Sequence, residues 1–351
     1  MLPLTSTDAP ISSRLAAELA EVEARFTAEL ISDLPCVNSL VAHVERYRGK
    51  MLRPTLLLVG GMATAPQSEL TDAHRVVAAV VEMVHMATLV HDDILDEADV
   101  RRHGATVNRL RGNETAVMLG DYLISHAYHL CSSLDRPAVS RVIADATNTV
   151  CEGELLQLAN RNNWRLDEAT YFEIIRRKTA SLCGTCCRLA AMLSGASPEI
   201  VDGLYEYGEK LGIAFQIIDD LLDLVGQEDT VGKTLGRDLD KGKLTLPLIH
   251  FLSTEGDDRR ETLLKLLGST ASETAQNNGY TANNGKARPP VGQAQAAEIR
   301  RMVIEAGSVE YARNWAARLV DQAQTAIAPL PESEAKALLA DMARAVLTRE
   351  Y

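Results

Sequence analysis

Apolar residues return every three or four positions along almost the whole chain: Leu15, Leu19 and Val22; Val77, Val80, Val81 and Val84; Leu204, Leu211 and Phe215; Leu338, Met342 and Val346. That is the period of one face of an α-helix, and strict two-residue alternation of the half-buried-strand kind is hard to find. The chain therefore reads as all-α, with roughly a dozen helices. Ser197-Pro198-Glu199 predicts one helix start, with a serine cap, a proline at the first helical position and an acid favoured by the helix dipole. Aromatics, at 4%, are too scarce for stacking platforms or β-sandwich cores. No solenoid-type repeat is present, so the pattern points to a globular bundle.

With 351 residues, 46% of them apolar, a sizeable core is available. Residues 268–292 (GSTASETAQNNGYTANNGKARPPVG) lack large aliphatics and read as a flexible surface insertion. The roughly 60 residues that follow would make only a small unit alone, which favours a single domain over 1–351 interrupted at about 268–292. The formal charge of −12 argues against a nucleic-acid partner. Six cysteines without scaffold spacing read as reduced thiols, and residues 1–10 lack a basic leader pattern, so a cytoplasmic location is expected. The longest apolar stretches, 55–66 and 76–90, are short or interrupted by Glu82 and His85, so no transmembrane segment is expected.

The chemistry is carried by His91-Asp92-Asp93-Ile94-Leu95-Asp96 and its echo Asp219-Asp220-Leu221-Leu222-Asp223, two copies of D-D-x-x-D in apolar surroundings. Spacing i, i+4 puts Asp92 and Asp96 on one helix face, and likewise Asp219 and Asp223. Such carboxylates repel one another, and a hard divalent cation such as Mg²⁺, completed by phosphate oxygens, relieves that cost. One copy alone could be a solvated acidic face; two among Leu, Ile and Val are not explained that way. Cations accompany them: Lys50 and Arg53 in GKMLRP, Arg101 and Arg102 after the first cluster, Lys178 before Thr179, and Lys233, Lys241 and Lys243 after the second. Each alone is ordinary surface charge, but together they suit more than one diphosphate.

Other patterns carry less. GQEDTVGKT from Gly226 has the wrong spacing and two acids for a phosphate loop. Cys183, Cys186 and Cys187 lack the partners of a zinc site, and Glu82-x-x-His85 is half of a di-iron signature. His126 and His129 share a helix face without an acidic neighbour in sequence, which favours packing or hydrogen-bonded surface histidines.

From about Gly49 to Pro247 the chain resembles the trans-isoprenyl (polyprenyl) diphosphate synthases. The likeness is carried in order by GKMLRP, Glu82 and His85, HDDILDEADVRR, Gly120-Asp121, Gly153-Glu154 with Gln157, KTASL, FQIIDDLLD and GKTLGRDLDKGKLTLP. The resemblance implies a single helical bundle around a central cavity, the isoprenoid-synthase fold, with the aspartate motifs facing each other across its mouth. It also implies two or three Mg²⁺ ions, a homodimer, and condensation of isopentenyl diphosphate with an allylic diphosphate. Asp92, Asp96 and Asp219 would be the main metal ligands, with Asp93, Asp220 and Asp223 supporting. Arg101, Lys178 and Lys233 would bind the allylic diphosphate, Lys50, Arg53, His85 and Arg102 the isopentenyl diphosphate, and Lys243 would be a further substrate-binding residue. Gln216 and Lys178-Thr179 would stabilise the allylic cation by dipole. Ala87 and Thr88, both small, stand where bulky residues stop chain growth in the family, so a product longer than farnesyl is expected. A transient membrane contact is expected if the product is long. A farnesyl or geranylgeranyl synthase, a class I terpene cyclase and a non-catalytic synthase subunit are the alternatives. A cyclase has no use for GKMLRP, and a non-catalytic subunit typically lacks an intact acidic cluster.

Overall fold

The computed structural model describes residues 10–46, 49–102, 104–226, 236–268 and 291–349. Its elements are α1 (Pro10–Glu29), α2 (Pro35–Glu45), α3 (Leu52–Thr64), α4 (Asp72–Leu95), a hairpin of β1 (Val100–Arg101) and β2 (Gly104–Ala105), α5 (Val107–Arg111), α6 (Asn113–Ser132), α7 (Pro137–Ala159) and α8 (Glu168–Ile175). A π-turn, Arg176–Ala180, then leads into α9 (Ser181–Leu193), α10 (Pro198–Val225), α11 (Arg237–Asp240), α12 (Leu246–Thr254), α13 (Asp257–Leu266), α14 (Gln293–Glu305), α15 (Ser308–Ala326) and α16 (Glu334–Leu347). The all-α expectation holds, apart from the four-residue antiparallel hairpin. The insertion lies almost wholly outside the described residues, as do Lys233 and most of GQEDTVGKT. The helix start at Pro198 is observed, with the Ser197 hydroxyl accepting from the Ile200 amide.

The described residues divide into two compact units. The first comprises Met1–Thr147, Leu182–Gly208 and Ala326–Met342. Its centre is α4, where Val76 through Val84, Met86 and Ala87 are all buried and His85 between them is half-buried. A helix apolar all round must be covered all round, and α1, α3 and α6 cover it. At 24 residues α4 is long and apolar enough to cross a membrane by composition, longer than the apolar stretch 76–90 suggested. In that window 78% is buried inside the protein, which makes α4 a core helix. Its N-terminus is closed by Thr71 and His74, whose Nδ1 accepts from the Thr71 amide.

The second unit comprises Asn148–Ser181, Glu209–Thr325 and Ala343–Tyr351. Here α8 packs on α12, and α14 on α12 and α13. Leu246, Leu248, Phe251, Leu263, Ile299 and Val303 form its buried centre. Cys183, Cys186 and Cys187, in the first unit, are buried free thiols whose pKa values burial raises, which fits packing rather than reactivity.

Candidate active site

In the first unit α4 ends inside the acidic motif. Asp92 and Asp93 occupy its last turn, while Asp96 is the cap, its amide still bonded to the Asp92 carbonyl at 2.8 Å. Asp96 therefore closes the last turn of the helix, one turn beyond Asp92 as the i, i+4 spacing predicts. The chain must turn here, through Glu97 at φ 47°, to enter the hairpin. Carboxylates at a helix C-terminus meet the negative end of its dipole, so this placement is costly without a cation. Asp93 points elsewhere: its side chain is 2% exposed and clamped by Arg101, whose Nε lies 2.9 Å and Nη2 2.8 Å from Oδ1. Asp93 and Arg101 are thus paired with each other in this structure.

Lys50, Arg53, His85 and Arg102 belong to the same unit, and the last three influence one another electrostatically. Arg53 sits in the first turn of α3, whose positive dipole end favours an anion over a cation. Its buried Nε has no hydrogen-bond partner among the described residues. Burial, then Arg53, Arg102 and Arg101, hold the His85 pKa well below the usual histidine range. Burial and Arg101 also lower that of Arg102, against Glu82. Arg102 occupies the hairpin turn at φ 46°, and a Cβ on Gly49 would collide with its guanidinium. Gathered cations of this kind call for a polyvalent anion. On the same helix Ala87 is fully buried, and Thr88 is half-buried with its hydroxyl donating to the His85 carbonyl at 2.7 Å.

In the second unit an open cleft is lined by Gln157, Lys178, Thr179, Gln216, Asp220, Asp238 and Lys243, with Leu166, Ile174, Ile175 and Leu244 as apolar wall. Asp219, Asp220 and Asp223 lie in the last two turns of the 28-residue α10, again at a negative helix end. Asp220 is buried; Tyr171 Oη and Gln216 Nε2 each donate to it at 2.7 Å, and Thr179 Oγ1 donates to Gln216 Oε1 at 2.9 Å. Burial and the charge of Asp238 hold the Asp220 carboxyl well above the usual range. The same causes push Asp223 up to about 7. Asp223 also accepts the amides of Arg237 and Asp238 and so starts α11. Lys178 and Thr179 stand in the π-turn, whose Ser181 amide reaches back to the Arg176 carbonyl. The extra residue of such a turn pushes side chains out of helical register, and here Lys178 and Thr179 line the cleft. Lys178 pairs with Glu154.

Asp238, Tyr171 and Glu154, to which the sequence assigned no role, join this cluster in the structure. Asp238 stood inside the quoted GRDLDKGK and Glu154 beside Gly153, but only folding brings them to Asp220 and Lys178. The donor set fits a hard divalent cation. Each cluster by itself is all carboxylate oxygen at a negative helix end, and the one in the second unit is crowded enough to raise two carboxyl pKa values.

The sequence profile of the family described as Polyprenyl synthetase matches residues 35–282. The octaprenyl diphosphate synthase of Escherichia coli K12 is 33% identical over 344 residues, 97% of this chain and 98% of that one. Among solved structures, a decaprenyl diphosphate synthase from Rhodobacter capsulatus superposes with a TM-score of 0.83 at 31% identity, covering 97% of this chain and 98% of that one. A polyprenyl synthase from Caulobacter crescentus CB15, complexed with calcium and isoprenyl diphosphate, gives 0.85 at 29% identity over 97% of both chains. A match of this length, over the motifs that carry the acidic and cationic clusters, means that the chain belongs to the polyprenyl synthetase family.

Proposed function

We propose that the protein condenses isopentenyl diphosphate head-to-tail with an allylic diphosphate and makes a trans-polyprenyl diphosphate longer than farnesyl. The observation that carries this reading is the placing of both D-D-x-x-D clusters at the C-terminal ends of long helices, in a chain that also gathers Arg53, His85 and Arg102. Long-chain relatives, from octaprenyl to decaprenyl synthases, support the product class.

Mg²⁺, for which Asp92 and Asp96 of the first unit and Asp219 of the second are the candidate ligands, would supply hard positive charge to the oxygens of the leaving diphosphate. Lys178 presents a further cation to the allylic diphosphate, with Glu154 fixing its ammonium. Thr179 and Gln216 keep amide and hydroxyl dipoles at the cleft, oriented by the chain of bonds that ends on Asp220. Leu166, Ile174, Ile175 and Leu244 limit water at the reacting carbon. Lys50, Arg53, His85 and Arg102 bind the isopentenyl diphosphate, whose double bond attacks the allylic carbon. The proton then leaves with the departing diphosphate. A homodimer and a cytoplasmic location go with this reading. The unpaired state of all six cysteines supports the location, and the exposed Ile31, Leu34 and Met118 supply apolar surface for a dimer.

The test is a product assay with Mg²⁺, labelled isopentenyl diphosphate and geranyl, farnesyl or geranylgeranyl diphosphate in separate reactions, products being separated by chain length. A ladder ending beyond farnesyl supports the proposal. No incorporation with any primer by folded protein, or a single product stopping at farnesyl, overturns it.

A further inference from the structure

We propose that Glu29, His126 and His129 form a second, chemically distinct metal site that takes a borderline transition-metal dication of the Zn²⁺ class. His126 and His129 lie one turn apart on α6, and folding supplies the acidic companion that their sequence surroundings lack. Glu29, the last residue of α1, places Oε1 3.2 Å from His126 Nδ1 and 2.6 Å from His129 Nδ1. All three donor atoms fall within 4.8 Å of one another. They belong to the same compact unit.

The chemistry of the set is specific. Two imidazole nitrogens and one carboxylate oxygen are a three-ligand zinc set that leaves one position to water. Tetrahedral bonds of about 2.0 to 2.1 Å separate donors by roughly 3.3 Å; the Glu29–His126 spacing of 3.2 Å already matches, and the Glu29–His129 spacing of 2.6 Å must open by about 0.7 Å. Mg²⁺, which prefers oxygen, is poorly served here, and the all-carboxylate clusters at Asp92 and Asp219 serve Zn²⁺ less well. The two kinds of site therefore sort two kinds of metal.

Position argues the same way. The Glu29 side chain is only 15% exposed and stands at the negative end of a 20-residue helix, and its ion-pair partners among the described residues are the two imidazoles. A carboxylate so placed gains from a full positive charge. The Tyr122 ring lies 4.2 Å from that of His126, and its hydroxyl donates to the Leu30 carbonyl at 3.3 Å, which fixes α6 against the residue following α1. His129 is 78% exposed, leaving the site open to an ion from solvent. A bound ion would pin the end of α1 to α6.

The test uses the full chain, stripped with chelator and then kept in saturating Mg²⁺ so that the aspartate clusters hold their hard cation. Zn²⁺ is titrated calorimetrically, and Co²⁺ by its visible absorption. One equivalent of Zn²⁺ is expected, raising the melting temperature. His129→Ala, which removes an exposed side chain and leaves product synthesis intact, should abolish that equivalent together with the nitrogen-ligated Co²⁺ bands. Glu29→Gln should weaken both. Asp92→Ala and Asp219→Ala should keep them. Equal Zn²⁺ stoichiometry in the parent and His129→Ala proteins overturns the proposal. So does a Zn²⁺ equivalent that vanishes only in the aspartate variants, or no Zn²⁺ binding in the presence of Mg²⁺.

Discussion

Asp93 shows how two adjacent identical residues acquire different work. Asp92 stays half-buried at the end of α4, while Asp93 turns into the protein and takes the Arg101 guanidinium. Asp93→Asn removes the counter-charge and leaves a guanidinium that is three-quarters buried, which should cost about 1 to 3 kcal/mol in urea unfolding. Turnover should fall because Arg101 loses its position, yet the Mg²⁺ concentration for half-maximal rate should stay near that of the parent. Asp92→Asn should raise that concentration with little loss of stability. An equal rise in both variants would show that Asp93 also holds the metal. At this scale the sequence was legible where a pattern repeats: two D-D-x-x-D copies announce themselves by spacing. Tyr171, Glu154 and Asp238 could not, because each gains its role from a partner distant in sequence or from burial, and neither leaves a local signature.

Among the elements, periodicity made the long helices legible and left their interruptions hidden. Nothing in the spacing of 168–193 marks the π-turn at Arg176–Ala180, since one extra residue in a helix disturbs an apolar stripe no more than ordinary sequence scatter does. The end of α4 at Leu95 was equally hidden, because the i, i+4 pattern continues through Asp96 although the helix does not. The π-turn has a matching feature in α7. A Cβ on Gly153 would come within 2.6 Å of the Lys178 amide nitrogen and 2.7 Å of the Arg177 Cβ, so the missing side chain lets the two elements touch. Gly153→Ala must displace backbone that carries Lys178 and Thr179. A stability loss of about 1 to 3 kcal/mol is expected, as for other overpacked contacts. The catalytic effect should be larger than this loss alone explains, because Lys178 moves: kcat should drop at least tenfold at a temperature where the variant is fully folded. Unchanged kcat in folded Gly153→Ala would mean that the turn tolerates the shift and does not set the geometry of Lys178.

At the scale of the whole molecule the all-α class was legible because apolar residues at three- and four-residue spacing fill nearly every segment, whereas the division into two compact units was not, since each is assembled from stretches far apart in sequence. Each unit contains a histidine whose pKa is lowered chiefly by burial, His74 in the first and His250 in the second. His74 is the deeper. Its Nδ1 accepts from the Thr71 amide and its Nε2 lies 3.1 Å from the Ser194 hydroxyl, while Arg75 and Arg136 oppose its protonation and Glu18 favours it. An unfolded histidine titrates near about 6.5, so below that pH the unfolded chain binds a proton that the folded chain refuses. Stability then rises with pH: the contribution of neutral His74 is complete above about 6.5 and is lost as pH falls toward the lowered folded value. Asp223, raised to about 7, works in the opposite sense in metal-free protein, so a single curve would mix the two. The difference between the parent and His74→Gln isolates the histidine, because Asp223 is common to both. In urea unfolding the stability advantage of the parent over His74→Gln should be larger at about pH 7.5 than at about pH 5.5. A difference that is flat with pH, or that grows on acidification, would mean that His74 is protonated in the fold and bonded as a cation.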